Sequence, residues 1–194
     1  MTLLAAKWIW ATGCIAWYLI RYPHERRARK TQIAVRSRRN RERVLLTISF
    51  AGLFVIPLIF ALFGQPKYFS YSFQPQLAWL GTAIFAASLA LFQRTHRDLG
   101  RAWSVTLELR DQHTLIMRGV YKWVRHPMYS AFWLWAIAQA LLLPNWIAGL
   151  SGLAGFGTLY FCRVGHEEKM MLVAFGDAYR DYMARTRRIV PGLF

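Results

Sequence analysis

Residues 125–161 read RHPMYSAFWLWAIAQALLLPNWIAGLSGLAGFGTLYF, and this stretch decides the fold class. It contains two apolar runs, Met128–Leu143 and Trp146–Phe161, which only a Pro-Asn pair separates. A helix needs about 17–25 residues to cross a bilayer, so each run approaches membrane-spanning length. Because a two-residue connection leaves room only for a tight turn, the stretch predicts an antiparallel helical hairpin within residues 128–161.

Three further apolar runs lie nearer the N-terminus: Leu3–Ile20, Val44–Phe63 and Leu77–Phe92. Apolar residues make up 56% of the 194 residues, above the ~45–50% that is typical of a soluble domain. We expect one all-α integral membrane domain over residues 1–194, with about five transmembrane helices. Three of them fall in residues 1–97 and two in the C-terminal half, 98–194. The first run resembles the core of a signal peptide, but no small-x-small cleavage site follows, so a retained helix is expected.

The distribution of basic residues predicts the topology. The chain carries 25 Lys and Arg, of which ten lie in residues 21–43, seven in 94–125 and six in 162–194. Lys and Arg collect in cytoplasmic loops. With five spans, these three segments lie on one side of the membrane and hold 23 of the 25 basic residues. We therefore expect the N-terminus outside and the C-terminus in the cytoplasm.

The net charge of +16 would indicate a nucleic-acid partner in a soluble protein. Here the densest run, Arg36–Arg43 (RSRRNRER), lies between two predicted membrane helices. This position favours contact with anionic lipid headgroups, so membrane lipids are expected partners and nucleic acid is not. Cys14 and Cys162 show neither metal-ligand spacing nor a disulfide framework.

One segment rich in polar and aromatic residues covers residues 98–129. Alternating apolar residues predict short extended segments around Val105–Leu109 and at Leu115-Ile116. The sequence then reaches Arg125-His126-Pro127, where the fourth membrane helix should begin, because proline suits the first helical turn. Taken alone, the arginine and histidine have a simple alternative role as anchors at the membrane interface.

The other such segment is Arg163–Pro191. Arg163 and Glu167 are four residues apart and share a helix face just beyond the fifth apolar run. They form either a mutual ion pair or a cation and a carboxylate that face a cavity at bilayer depth, where ionisable groups are functional candidates. The neighbouring His166 and Glu168 point in other directions on a helix, so no metal site is predicted. Phe175-Gly176 is predicted to interrupt the helix.

Short motifs occur in a fixed order in residues 98–191: Asp98-Leu99-Gly100, Trp103-Ser104, His113-Thr114-Leu115-Ile116, Gly119-Val120-Tyr121, Arg125-His126-Pro127-Met128-Tyr129, Glu167-Glu168, Phe175-Gly176, Tyr179, Tyr182 and Ile189-Val190-Pro191. This ordered set resembles the isoprenylcysteine carboxyl methyltransferase family, in particular its short five-helix prokaryotic members. Membrane sterol reductases and phospholipid methyltransferases carry similar RHPxY elements.

The resemblance implies an S-adenosylmethionine cofactor in a cytoplasm-facing cavity of the C-terminal half and carboxyl methylation of a lipid-like or prenylated acceptor. It implies that Arg163 orients the acceptor carboxylate. It also implies a prokaryotic cell membrane and no metal. The implied cofactor contacts are His113, Thr114, Leu115, Ile116, Tyr121, His126, Pro127, Met128, Tyr129 and Glu167.

Two other functions remain open from the sequence. One is a sterol-reductase-like membrane enzyme that uses NADPH, and the other is a lipid-binding membrane protein without catalytic activity. Binding of S-adenosylmethionine, of NADPH or of neither would separate the three.

Overall fold

The computed structural model describes residues 1–28, 33–36, 39–100, 108–110 and 115–192. The described residues are mainly helical, which confirms the predicted fold class. The helices are α1 Leu3–Ala28, α2 Arg39–Phe50, a π-helical turn Ala51–Val55, α3 Ile56–Phe63, α4 Pro75–Leu99, α5 Pro127–Leu142 and α6 Trp146–Arg185. Short 3-10 turns cover Lys67–Phe69 and Gly119–Lys122.

Two short strands pair antiparallel outside the helices, β1 Ile33–Arg36 and β2 Glu108–Arg110. The second strand agrees with the extended segment expected around Leu109, whereas β1 was not predicted. Leu115-Ile116 has no regular secondary structure, so the strand expected there is wrong. Val105 and Leu107 lie outside the described residues.

Among the described residues, four helical segments are long and apolar enough to cross a membrane: Leu3–Arg26, Asn40–Phe63, Pro75–Leu99 and Trp146–Arg185. The chain is an integral membrane protein. α5 has 16 residues and is about 24 Å long at 1.5 Å per residue, which is shorter than the ~30 Å hydrocarbon core. The fourth predicted membrane helix is therefore present, but it is short.

α5 is also the most enclosed helix, because the others surround it. The ring of Trp135 lies 4.8 Å from that of Phe85 on α4 and 5.1 Å from that of Phe54 in the π-helical turn. It also lies 6.0 Å from the ring of Trp17 on α1. These tilted and edge-on contacts are the arrangements that aromatic pairs prefer, and they join three helical segments around α5.

The π-helical turn allows the second span to approach α6 closely. A Cβ atom on Gly52 would lie 2.2 Å from the carbonyl oxygen of Ser151, and one on Gly155 would lie 2.8 Å from that of Ile48. Small residues let helix backbones meet in this way in membranes. The carbonyl of Gly52 also accepts hydrogen bonds from the side chains of Gln139 and Ser151, at 3.1 and 2.7 Å.

α6 continues far beyond its apolar part. From Trp146 to Phe175, before a kink at Gly176, it extends about 45 Å at 1.5 Å per residue, which is longer than the ~30 Å bilayer core. The part after Phe161 carries polar and charged side chains. Gly176 has φ 51° and interrupts the helical backbone, as the sequence predicted for this position. The extension brings residues from Arg163 onward to the end of the bundle.

The loops divide into two sets at opposite ends of the bundle. At one end, the side chain of Asn145, between α5 and α6, donates to the carbonyl of Pro66 at 2.8 Å and to Ser70 Oγ at 3.1 Å. Lys7 belongs to the same end, because its Nζ donates to the carbonyl of Phe60 at 3.3 Å. The N-terminus and the loops after α3 and α5 therefore lie together.

The other end, called the basic end below, collects residues 21–28, 39–43, 94–100, 115–126 and 163–192. There the rings of His24 on α1 and His96 on α4 lie 4.7 Å apart. Arg41 on α2 donates to the carbonyl of Cys162 on α6 at 3.2 Å. These described parts of the three basic segments thus belong to one end, in agreement with the alternation on which the predicted topology depends.

Candidate active site

The RHPMY motif lies at the basic end, where the C-terminal part of the chain holds it in place. After α6, the segment Thr186–Pro191 runs beside the start of α5. The backbone N–H of Arg125 donates to the carbonyl of Arg187 at 2.7 Å, and that of His126 donates to the carbonyl of Arg188 at 2.9 Å. These bonds position the histidine immediately before Pro127, the first residue of α5.

The side chain of Arg125 stabilises this junction. It is almost fully buried and donates to the carbonyls of Met183 and Thr186, which are left without helical partners at the end of α6. Its Nη2 also lies 3.1 Å from Glu168 Oε1. Arg125 is therefore a structural residue inside the protein, not the interfacial anchor that was its simplest alternative.

Glu168 is the centre of a buried charge cluster. Its side chain is 5% exposed and also pairs with Arg188, whose Nη2 lies 2.7 Å from Oε2. His126 Nε2 lies 3.3 Å from its other oxygen. Hydrogen bonds from several partners are what a carboxylate needs to be tolerated away from water. Glu168 therefore links α6, the RHPMY motif and the C-terminal segment.

Glu167 has a different environment from its neighbour. Its side chain remains 30% exposed, and its Oε2 accepts a 2.5 Å hydrogen bond from the phenol of Tyr129 on α5. Its Oε1 is 3.9 Å from His126 Nδ1, and the rings of His126 and Tyr129 are stacked with centroids 5.3 Å apart. Of the two adjacent carboxylates, Glu167 is the one that a ligand can reach.

Arg163 lies one turn before Glu167 on α6 and is mostly buried. Its Nη1 lies 3.2 Å from Oε1 of Glu42 on α2, and the two side chains are 11% and 8% exposed. The sequence allowed an ion pair between Arg163 and Glu167, and the structure shows an ion pair between Arg163 and Glu42. This pair joins α2 to α6 where the apolar part of α6 ends.

Tyr121 lies in the 3-10 turn Gly119–Lys122, which Asp98 fixes. The Asp98 carboxylate accepts from the N–H of Val120 at 2.8 Å, and a Cβ on Gly119 would lie 2.0 Å from that carboxylate, so only glycine fits. Burial, followed by the nearby charge of Glu167, raises the pKa of the Tyr121 phenol above its usual value. The phenol is therefore protonated at neutral pH and can donate a hydrogen bond.

The structure brings together part of the predicted site. Tyr121, His126, Tyr129, Arg163 and Glu167 all lie at the basic end, and Pro127 and Met128 form the first turn of α5. Leu115 and Ile116 are half-buried in the segment that leads to the 3-10 turn. His113 and Thr114 lie outside the described residues. No group of three His, Cys, Asp or Glu that could hold a metal is found in the described part of the chain.

Sequence reasoning missed the roles of Glu42, Glu168 and Arg188. One signal for Glu42 was available, because it is the only acidic residue between Glu25 and Asp98. Glu42 lies within the basic run Arg36–Arg43, whose pattern indicates only contact with lipid headgroups. Its pairing with a residue more than a hundred positions away depends on tertiary structure, which the local pattern does not reveal.

A model of the isoprenylcysteine carboxyl methyltransferase family matches residues 79–173. This match covers about half of the chain and confirms the resemblance to that family that the ordered motifs predict. The matched residues run from α4 to α6 and include the RHPMY motif, Arg163, Glu167 and Glu168. Glu42 and the C-terminal segment lie outside the match.

Relatives include the protein-S-isoprenylcysteine O-methyltransferases of Dictyostelium discoideum, 31% identical over 90 residues, and of Homo sapiens, 34% identical over 84 residues. That of Rattus norvegicus is 34% identical over 121 residues. The matches cover 44%, 43% and 60% of this chain and 36%, 30% and 43% of these relatives. The matched part of the chain thus corresponds to less than half the length of each curated relative.

A solved structure shows the same fold. It is the eukaryotic intramembrane Ras methyltransferase of this family, with a TM-score of 0.52 and 22% sequence identity. The similarity covers 81% of this chain and 55% of the solved chain. The shared architecture therefore includes helices outside residues 79–173 as well.

Proposed function

We propose that this chain is an S-adenosylmethionine-dependent methyltransferase that methylates the carboxylate of an isoprenylcysteine-type acceptor at the boundary of the membrane. One structural observation supports this proposal in addition to the similarity to the family. Arg163 and Glu167 lie one turn apart on α6, at the place where its apolar part ends and beside the RHPMY motif. A cation and a reachable carboxylate are thus close together at the depth where a lipid-like acceptor would present its polar end.

The residues present fit the proposed cofactor. Glu167 is a partly exposed carboxylate, oriented by Tyr129, and it can bind an ammonium group or ribose hydroxyls. Tyr121 supplies a protonated phenol, and the stacked rings of His126 and Tyr129 form a wall. We assign to the same site the other contacts that the resemblance implies: His113, Thr114, Leu115, Ile116, Pro127 and Met128.

When bound, S-adenosylmethionine supplies a methyl group that its sulfonium sulfur already activates. The protein then has two tasks, to align the acceptor and to exclude water. We assign the first to Arg163, whose planar guanidinium can hold a carboxylate by two parallel hydrogen bonds. A carboxylate is ionised at neutral pH, so no general base is needed to activate it.

The proposed orientation places the basic end in the cytoplasm and the N-terminus outside. It is supported by the segregation of 23 of the 25 basic residues into three segments of the sequence, whose residues 21–28, 39–43, 94–100, 115–126 and 163–192 lie at one end of the bundle. Lys and Arg prefer cytoplasmic loops. The candidate site would then face the cytoplasm, with basic side chains near anionic lipid headgroups.

Titration of detergent-purified protein with S-adenosylhomocysteine and with NADPH tests the cofactor assignment. The proposal predicts saturable binding of S-adenosylhomocysteine, competition by S-adenosylmethionine and no binding of NADPH. Binding of NADPH alone would indicate a reductase. Binding of neither compound would indicate a protein that binds lipid without catalysis, and either result would contradict the proposal.

A further inference from the structure

The ion pair between Glu42 and Arg163 is unusual for its place in the molecule. It is mostly buried, at the end of the apolar part of α6, and it joins two helices that are far apart in the sequence. Taking two charges out of water costs free energy that their attraction often only balances, and apolar side chains of similar volume frequently serve as well or better. The connection between α2 and α6 therefore does not by itself explain why a buried ion pair is present here.

The position of the pair connects it with the candidate site. Arg163 lies one turn from Glu167 on α6, so any acceptor carboxylate that Arg163 binds must share the guanidinium with Glu42. The positive charge that the acceptor meets is consequently reduced by a fixed negative charge 3.2 Å away. The guanidinium of Arg163 can still donate two parallel hydrogen bonds to a carboxylate, but it attracts an anion less strongly.

We propose that Glu42 is a positioning residue that moderates Arg163, so that the acceptor carboxylate is held in place and remains nucleophilic. The inference rests on the proposed function. Glu42 itself does not touch the reacting atoms in this assignment and acts only through the guanidinium. This moderation limits the affinity of the site for the acceptor carboxylate.

The charge change in the reaction explains why such a limit is useful. A lone pair of the carboxylate oxygen forms the new O–C bond, while the electrons of the broken S–C bond stay on sulfur. The acceptor therefore changes from an anion to a neutral ester, and its negative charge decreases toward the transition state. A full positive charge would stabilise the ground state more than the transition state, which lowers kcat.

Substitution of Glu42 distinguishes an effect on binding of the acceptor carboxylate from an effect on the rate of methyl transfer. Glu42→Gln keeps the size and a hydrogen-bond acceptor but removes the negative charge, and Glu42→Asp keeps the charge on a shorter side chain. Glu25→Gln is the matched control, because Glu25 also pairs with an arginine, Arg21, at the basic end but on α1. The ligands are N-acetyl-S-farnesylcysteine as the acid and its carboxamide as an uncharged analogue.

The expected result for Glu42→Gln is a split between binding and turnover. The Kd for the acid should fall about tenfold, since close charge pairs couple by at least that much, while the Kd for the carboxamide and for S-adenosylhomocysteine stays the same. KM for the acid and kcat should both decrease. Glu42→Asp should lie between wild type and Glu42→Gln, and Glu25→Gln should match wild type.

A purely structural role predicts a different pattern. Glu42→Gln would then weaken binding of acid, carboxamide and S-adenosylhomocysteine together and lower the melting temperature, and that result would overturn the inference. An unchanged preference for acid over carboxamide would overturn it too, while leaving the proposed function intact. If Glu42→Gln does not fold, Glu42→Asp decides by the same comparison. Wild-type protein that binds no acid would contradict the proposed function itself.

Discussion

The phenol of Tyr129 on α5 donates a 2.5 Å hydrogen bond to Oε2 of Glu167 on α6. This bond crosses the hairpin at the basic end and fixes the orientation of a carboxylate that remains partly exposed. The next residue, Glu168, is enclosed by Arg125, His126 and Arg188. Two adjacent carboxylates on one helix therefore have different roles, one directed toward a ligand and the other toward the protein.

We expect Glu167→Ala to weaken binding of S-adenosylhomocysteine by about 1–3 kcal/mol, the range for hydrogen bonds that involve a charged group. Calorimetric titration in detergent measures the change. Asp177→Ala is the control, because Asp177 is an acidic residue of the same helix in an exposed pair with Arg180. Equal affinities of wild type and Glu167→Ala would remove Glu167 from the site.

Glu168→Ala should mainly affect stability. It leaves Arg125 buried without its carboxylate partner, and breaking a buried pair costs about 3 kcal/mol or more. Because Arg188 is 44% exposed and can turn to water, we expect the lower end of that range. A melting curve in detergent should shift clearly to lower temperature. A curve that matches wild type would show that the cluster contributes little.

His126→Ala tests whether the histidine belongs to the cofactor wall. We expect weaker binding of S-adenosylhomocysteine, because the mutation removes the ring that stacks on Tyr129 and the nitrogen near Glu167. The protein should still fold, since Glu168 retains Arg125 and Arg188. Normal affinity in a folded variant would mean that His126 serves only the structure around Glu168.

Cysteine labelling tests the orientation. In a background that lacks Cys14 and Cys162, Lys67→Cys and Asn40→Cys place single thiols at the two ends of the bundle. A membrane-impermeant maleimide added to intact cells should label position 67, and position 40 should react only after permeabilisation. The reverse pattern would place the basic end outside the cell and contradict the proposed topology.

The sequence was sufficient for the fold class, because length and hydropathy alone identify membrane helices. It was less informative about helix ends. α6 continues to Arg185 because its polar part packs on the protein through Glu168 and Tyr182, a tertiary effect that an apolar run does not report. The short α5 is likewise stable as a buried central helix although it does not reach across a bilayer core.

The candidate site was predictable where family motifs are contiguous, as at His126–Tyr129. It was not predictable where contacts join distant segments. Glu42 lies in an arginine-rich run, and its ion pair with Arg163 forms only in the folded chain. Arg188 likewise follows α6 by a few residues, yet its carboxylate partner lies twenty positions earlier in the helix.

The most direct test is transfer of tritium from methyl-labelled S-adenosylmethionine to N-acetyl-S-farnesylcysteine by wild type, Arg163→Ala and Arg163→Lys, with the cofactor Kd measured for each. Wild type should form a methyl ester that releases labelled methanol in base. Arg163→Ala should lose transfer while it retains cofactor binding. Arg163→Lys should recover only part of the rate, because an ammonium lacks the planar two-point grip. Absence of base-labile product from wild type, or undiminished transfer by Arg163→Ala, would contradict the account.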